Sequence, residues 1–395
     1  MTITPHEQLT TRPLLRSVGR AAIGNVGSSA ITFAALIALV HLLPTRTYAA
    51  FAVDYALAAV ITGIADARTT TFRAIGISET ARVRLLQRAW RWAACGLALA
   101  GMLLLGPIVH QAPADAVATA LAAGGSSEFN AYLARLQAGR LFTKWARIYI
   151  LVNGTKSLAM LGAAFAGSAA TIAVYGLVPL LASRLLQRQT TAINYRVTRT
   201  QVATPLVLTA ILTTIIGRMD LVLVATGGSA AETSSYAKLS IFVAGQLLLV
   251  STLSTVLLPE AHALRQQWGT LIRICMTMGI VMATASIAIV GYLAVDHALS
   301  AALPLYVIMI PAIVLTSITA PLSSPLFAIR SGILLTMINL VEFAVLLLVW
   351  GSSSHAAGAA TSMVVARSIS IYAGSALTLV AVAAVARGRK GGVRA

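Results

Sequence analysis

The sequence predicts an all-α membrane protein in which twelve transmembrane helices form two six-helix lobes around a central cavity. Composition, the recurrence of long apolar runs and the alternating charge of the connections all point to it. Of the 395 residues 58% are apolar and only 10% charged, against roughly 45–50% and 25% in a soluble domain. Runs such as Ala21 to Leu43 and Leu206 to Thr226 exceed the roughly 18 apolar residues that mark a bilayer-spanning helix.

In chain order the predicted spans are 18–43, 49–67, 91–109, 115–134, 147–166, 169–187, 204–226, 236–257, 270–294, 298–323, 333–350 and 361–386. Basic residues fall on alternate connections: Arg12, Arg16 and Arg20 before the first span, Arg68 to Arg91 after the second, Arg135 to Arg147 after the fourth. They recur as Arg184 to Arg199 after the sixth, Arg265 and Arg273 after the eighth, Arg330 after the tenth, and Arg387 to Arg394 at the end. Positive residues collect on the cytoplasmic side, so an even number of crossings is expected, in the inner membrane, with both termini cytoplasmic. All but five of the 29 basic residues then lie on one side, and only Arg46 falls in an outer loop.

The same dispersal assigns the net charge of +18 to topology, because a nucleic-acid partner would need basic residues gathered on one solvated face. The polar Met1–Thr11 stretch carries no removable signal peptide, so the first apolar run is expected to remain as an anchor. Cys95 and Cys275 fall inside predicted spans, and His41, His110, His297 and His355 lie near the outer surface without metal-ligand spacing. Neither disulfide nor metal chemistry is expected. The outer loops are all short, leaving no room for an independently folding domain of about 50 residues.

The polar 184–203 segment divides the chain into an N-terminal lobe, residues 1–200, and a C-terminal lobe, residues 201–395. Tandem halves with a substrate path between them recur in secondary transporters. Tyr48-Ala49 opening the second span is echoed by Tyr236-Ala237 opening the eighth.

Eight charged residues are candidates to lie near the bilayer centre: Lys156, Arg218, Lys238 and Arg367, and Asp54, Glu128, Asp220 and Glu342. Each costs about 2.5–3.5 kcal/mol near the bilayer centre unless a partner, a water-filled cavity or a cargo meets it. Equal numbers permit complete pairing. Alternatively the four basic residues line a cationic, substrate-binding cavity that attracts a diphosphate or acidic sugar, and the four acidic ones serve coupling or gating. Glu128 and Arg135, seven residues apart, share a helix face that is expected to look into the lumen between the lobes. Arg218 and Asp220 stand about 200° apart on a continuous helix, so they should not pair with each other. Pro304, Pro311, Pro321 and Pro325 mark the tenth span as bent, and Gly24/Gly27 and Gly124/Gly125 mark close helix approaches.

Several short motifs carry a resemblance. They are Arg218-Met219-Asp220-Leu221-Val222-Leu223 with Tyr236-Ala237 and Leu258-Pro259-Glu260, Leu136-Gln137-Ala138-Gly139-Arg140 after the fourth span, and Asn25, Leu43-Pro44 and Tyr48. In these the chain resembles the polysaccharide and O-antigen flippases of the multidrug/oligosaccharidyl-lipid/polysaccharide (MOP) exporter superfamily. It departs from them in Ala49, where a Gly is usual beside the Tyr, in Ser235 before Tyr236, and in its slightly short length.

The resemblance implies a flippase moving a lipid-linked oligosaccharide across the membrane by alternating access, with membrane lipids and other glycan-assembly proteins as partners. With no Walker loop of Gly-x-x-x-x-Gly-Lys-Ser/Thr type, the drive is expected from a coupled Na+ or H+ rather than from a bound cofactor. A small-molecule or drug antiporter of the same superfamily is the nearest alternative, and a non-transporting component of glycan assembly another. A membrane-embedded glycosyltransferase would need a substantial outer loop.

Overall fold

The computed structural model describes residues 11–74, 81–105, 111–138, 141–187, 203–257, 268–322, 332–353 and 358–391, which are helical throughout apart from short turns. Inside hydrocarbon a chain must satisfy every backbone N–H and C=O within itself, and the apolar runs do so as helices. The first half contributes α1 (Thr11–Leu42), α2 (Thr45–Ala74), α3 (Ala81–Leu105), α4 (Pro113–Ala138), α5 (Phe142–Ala163) and α6 (Ser168–Gln187). The second contributes α7 (Ala203–Ile216), α8 (Met219–Gly227), α9 (Ala230–Leu257), α10 (Trp268–Val295), α11 (Leu303–Leu322), α12 (Gly332–Ser353) and α13 (Ala359–Gly391).

Among the described residues ten segments are long and apolar enough to cross a membrane, α7 and α8 together forming the one from Val207 to Gly227. The twelve expected spans therefore reduce to ten by this criterion. The two that fall short are α3, which carries Arg88 and Arg91, and α4, which carries Asp115, Glu128 and Arg135. The Leu258-Pro259-Glu260 motif, Gly139-Arg140, Pro325 and most of the 184–203 connection lie outside the described residues.

Local chemistry sets the helix limits. Pro44 stands in the tight α1–α2 turn, and its carbonyl accepts from Tyr48 N at 2.8 Å. Gly167 (φ +104°) and Gly358 (φ +80°) provide the left-handed backbone for the α5–α6 and α12–α13 turns. A capping box opens α9: Glu232 N donates to Ser229 Oγ at 3.3 Å, while Ser229 N donates to Glu232 Oε2 at 2.9 Å. The other oxygen of Glu232 accepts Ala359 N at 2.8 Å, which ties the start of α9 to the start of α13.

The break between α7 and α8 falls at Gly217-Arg218. Arg218 leaves the helical region (φ −141°, ψ −21°), and its N–H turns back to Ile215 O at 3.1 Å. Glycine lowers helix propensity there, and the hydroxyls of Thr213 and Thr214 bond to carbonyls four residues back, a habit that bends membrane helices.

Large apolar side chains face outward: Leu97, Leu104, Phe165, Ile287 and Leu348 are 72–85% exposed. Inside, large side chains such as Tyr48, Phe51 and Phe242 pack among small and polar ones that include fully buried Ala122, Ala123, Thr171, Ser127 and Ser286. An apolar outer face suits a chain surrounded by lipid, and small residues let backbones approach. Gly24 lies against Trp145 and Ala146, Gly124 against Trp92, and Gly125 against the backbone of Gly176, as expected for packing glycines.

In the first half α1 packs on α5, and α4 on α2, α3 and α6; in the second α11 packs on α9, α10 and α13, and α12 on α7 and α13. Contacts between the halves run through α2, which meets α7, α8 and α9, and through α1 against α9. Gly63 of α2 makes room for the side chain of Thr214 on α7.

Gly176→Leu would drive a side chain into the backbone of Ala122. It is expected to destabilise the protein by about 1–3 kcal/mol, seen as a lower unfolding temperature in detergent. An unchanged temperature would show that α4 and α6 do not meet there.

Candidate functional site

Where α1, α2, α5 and α6 of the first half face the α7–α8 break, α9, α11 and α13 of the second, the helices enclose two joined chambers of about 270 and 530 Å³. Tyr55, Tyr149, Lys156, Tyr175 and Arg218 line both, so they form the waist between them. The smaller chamber adds Asp220, Tyr236 and Arg367; the larger adds Asp66 and Asn130.

Lys156, on α5, is 6% exposed and holds Nζ 4.3 Å from the centroid of the Tyr175 ring, a cation–π contact. Tyr55 meets the same ring edge-on, with centroids 5.1 Å apart. Arg218 reaches the waist because the helix stops there. Arg218 and Asp220, at the start of α8, both line the smaller chamber, and among the described residues no ion pair joins them, as the expected 200° separation implied. Asp220 sits in the first turn of α8, where the helix dipole favours a carboxylate. Its two oxygens accept Leu221 N and Tyr236 Oη, each at 2.8 Å. Arg367 has Glu342 behind it, Nη1 to Oε1 3.6 Å, and that nitrogen makes no hydrogen bond.

Pairing is therefore incomplete. Among the described residues neither Lys156 nor Arg218 has a carboxylate within ion-pair distance.

Four of the eight residues do not line the chambers: Glu342, which stands behind Arg367, and three that are placed elsewhere. Lys238 does not line the chambers, and its Nζ donates to Ala298 O at 2.8 Å, close to the His41–Asp296 pair (3.2 Å) that links the ends of α1 and α10. Glu128 faces α3 rather than a lumen between the halves: one oxygen lies 3.3 Å from Arg88 Nε, 3.6 Å from Arg91 Nη2 and 3.1 Å from Trp92 Nε1. Asp54 lies in a third cavity of about 410 Å³ near the α1–α2 turn.

Asp66 was not among the expected residues. Its carboxylate accepts Ser127 Oγ at 2.6 Å and Asn130 Nδ2 at 2.8 Å and borders the larger chamber. The signal in the sequence was the polar run of Ser126, Ser127, Glu128 and Asn130 in α4; Asp66 itself reads as interfacial because Arg68 follows it. Among the described residues no group of three or more His, Cys, Asp and Glu side chains converges.

No family model and no curated protein matches the chain. Solved structures do. A MATE transporter crystallised in complex with MaD5 superposes with a TM-score of 0.60 at 13% identity, over 98% of this chain and 100% of the other. The chain has the fold of the MATE transporters of the MOP superfamily. An outward-facing multidrug resistance MATE transporter gives a TM-score of 0.60 at 13% identity over 95% and 96%. A MOP superfamily transporter from Pyrococcus furiosus gives 0.58 at 13% over 96% and 99%, and it is described as having a binding pocket of reverse polarity that suggests a different function. These MATE-fold neighbours are transporters and not enzymes.

Glu128→Leu removes the carboxylate that faces Arg91, which is 4% exposed. Stranding that charge is expected to cost about 3–5 kcal/mol, measured as loss of folded protein and of thermal stability in detergent; wild-type stability would show the pair to be dispensable.

Proposed function

We propose that the protein is a flippase that carries a lipid-linked oligosaccharide across the inner membrane by alternating access. In this reading the chain crosses twelve times, residues 1–200 and 201–395 form the two lobes, both termini are cytoplasmic, and the joined chambers are the cargo path.

One observation carries the reading: buried Lys156 and half-buried Arg218 face the cavity with no carboxylate in ion-pair distance among the described residues, and Arg367 adds a third cation whose Nη1 is unbonded. Ionised groups in a low-dielectric wall attract an opposite charge strongly, and guanidinium suits phosphate oxygens. A diphosphate linker or an acidic sugar supplies that charge. The tyrosines between the cations offer hydroxyls and ring faces to a glycan.

A small-molecule antiporter is the second reading, favoured by the multidrug transporters among the fold's neighbours. The cavity charge separates the two. A cationic drug calls for net acid in the chambers, whereas Asp220 and Asp66 are each already hydrogen-bonded. The Pyrococcus furiosus neighbour offers a parallel for a pocket of altered polarity on this fold.

Deleting the gene is expected to accumulate lipid-linked repeat units on the inner leaflet, counted by extraction and chromatography; normal surface glycan would reject the flippase. Loss of one charge-assisted contact costs about 1.5–3 kcal/mol, so Arg218→Ala or Lys156→Ala should lower export about tenfold or more at wild-type protein level. Unaltered export in both would remove the cationic cavity from the mechanism.

A further inference from the structure

At the extremity that carries the α1–α2 turn, the end of α1 meets the end of α10, and His41 Nε2 lies 3.2 Å from Asp296 Oδ2. The carboxylate is held in place. Its other oxygen accepts Ala298 N at 3.0 Å, and Ala298 O accepts Lys238 Nζ at 2.8 Å, so α9 holds the turn that holds Asp296. Backbone bonds from Asp296 N to Tyr292 O and from Leu299 N to Asp296 O, each at 3.0 Å, fix the same turn. Lys238, left without a part in the cargo path, is therefore a positioning residue for Asp296.

The second half thus offers a carboxylate in a prepared seat, and the first half answers with one imidazole in the last turn of α1. A positive charge there is favoured by the helix dipole as well as by Asp296. Of the ion pairs found among the described residues, Arg88–Glu128 and Arg91–Glu128 lie within the first half and Arg367–Glu342 within the second. His41–Asp296 joins the halves. Behind it α1 and α9 touch through rings, Phe33 edge-on to Phe242 with centroids 5.5 Å apart, a contact indifferent to protonation.

The His41 side chain is 44% exposed, so the surrounding solution sets its charge. Around the pair, α9 brings Lys238, α10 brings Tyr292, and the turn after it brings His297. Glu232, at the start of α9, is already bound to the N–H groups of Ser229 and Ala359. From α2 come Arg46, which lines the third cavity, and Tyr48, which is buried; the end of α5, from Ser157 to Ala163, holds no titratable group.

We propose that His41 and Asp296 form a latch that holds the two halves together at the outer end and is fastened when His41 is protonated. The inference rests on the transporter reading only for calling this end outer and for the movement that the latch restrains. Histidine changes charge near about pH 6.5. Below that value the pair is ionic and the latch engaged; as pH rises through it the imidazole becomes neutral, the attraction is lost and the ends separate more readily. The proton arrives and leaves on one side, so the pair regulates the halves and carries no charge across the membrane.

The test is the distance between nitroxide labels at Thr45→Cys, which opens α2, and Ala301→Cys, beyond the Asp296 turn, read by double electron-electron resonance at about pH 5 and about pH 8. The full-length protein is used in detergent, without cargo. Both label sites are exposed, whereas the native Cys95 and Cys275 are buried. An ion pair this exposed shifts an equilibrium about two- to fivefold, and the population at the longer distance is expected to rise by that factor at the higher pH. His41→Gln, which keeps a hydrogen bond and loses the charge, should show the longer distance equally at both values, while His297→Gln should respond as the wild type does. If His41→Gln does not fold, Asp296→Asn decides, because its amide oxygen can still accept Ala298 N. Distances independent of pH in the wild type, or a pH response that survives in the folded variants of the pair, overturn the proposal. Because cargo is absent, failure here leaves the flippase standing, and normal surface glycan in the deletion strain leaves the latch standing.

Discussion

The cost of holding an ionised side chain away from water governs the interior of this protein. Each charge inside the helices has to be met, and the molecule meets them in different ways. Glu128 is met by Arg88, Arg91 and the Trp92 indole, Asp66 by Ser127 and Asn130, and Asp220 by Tyr236 and a helix N-terminus. Arg367 is met in part by Glu342. Lys156 leans on a tyrosine face, and Arg218 stands at a break in its helix. The weakest compensation falls at the waist of the central cavity, where an external partner would enter. Desolvation and pairing thus separate charges that hold helices together from charges that face the path.

The break at Gly217-Arg218 serves this separation. A continuous helix would place Arg218 and Asp220 on opposite sides and bury one of them in packing. Interrupting it brings both to the cavity and gives Asp220 the free N–H groups of α8. The freed backbone is tolerated because it borders a cavity and not lipid.

Helix positions were legible in the sequence because apolar run length registers the need to span hydrocarbon, and the α1–α2 and α8–α9 turns fall within a few residues of their expected places. Packing glycines were legible as well. The placement of charges was only half legible, since a sequence records that a charge lies within a span but not which way it points. Arg218 and Asp220 both border the cavity, on a helix that had been drawn as unbroken. Glu128 was assigned to the lumen because helical spacing aligned it with Arg135, whereas α3, whose amphipathic start carries Arg88 and Arg91, captured it. Lys238 was expected as a cavity cation because it lies within a predicted span, yet its amine reaches the carbonyl of Ala298. Such outcomes are set by neighbours far away in the chain, which spacing along one helix cannot reveal.

Glu232 has a mechanical consequence. One carboxylate binds the N–H groups that begin both α9 and α13, riveting the two helices at the end of the molecule that carries the α1–α2 turn. Fastened there, they can swing only as a pair, like blades on a common pin. Any relative travel between them must grow toward the far end, making that end the place where the second half can deform.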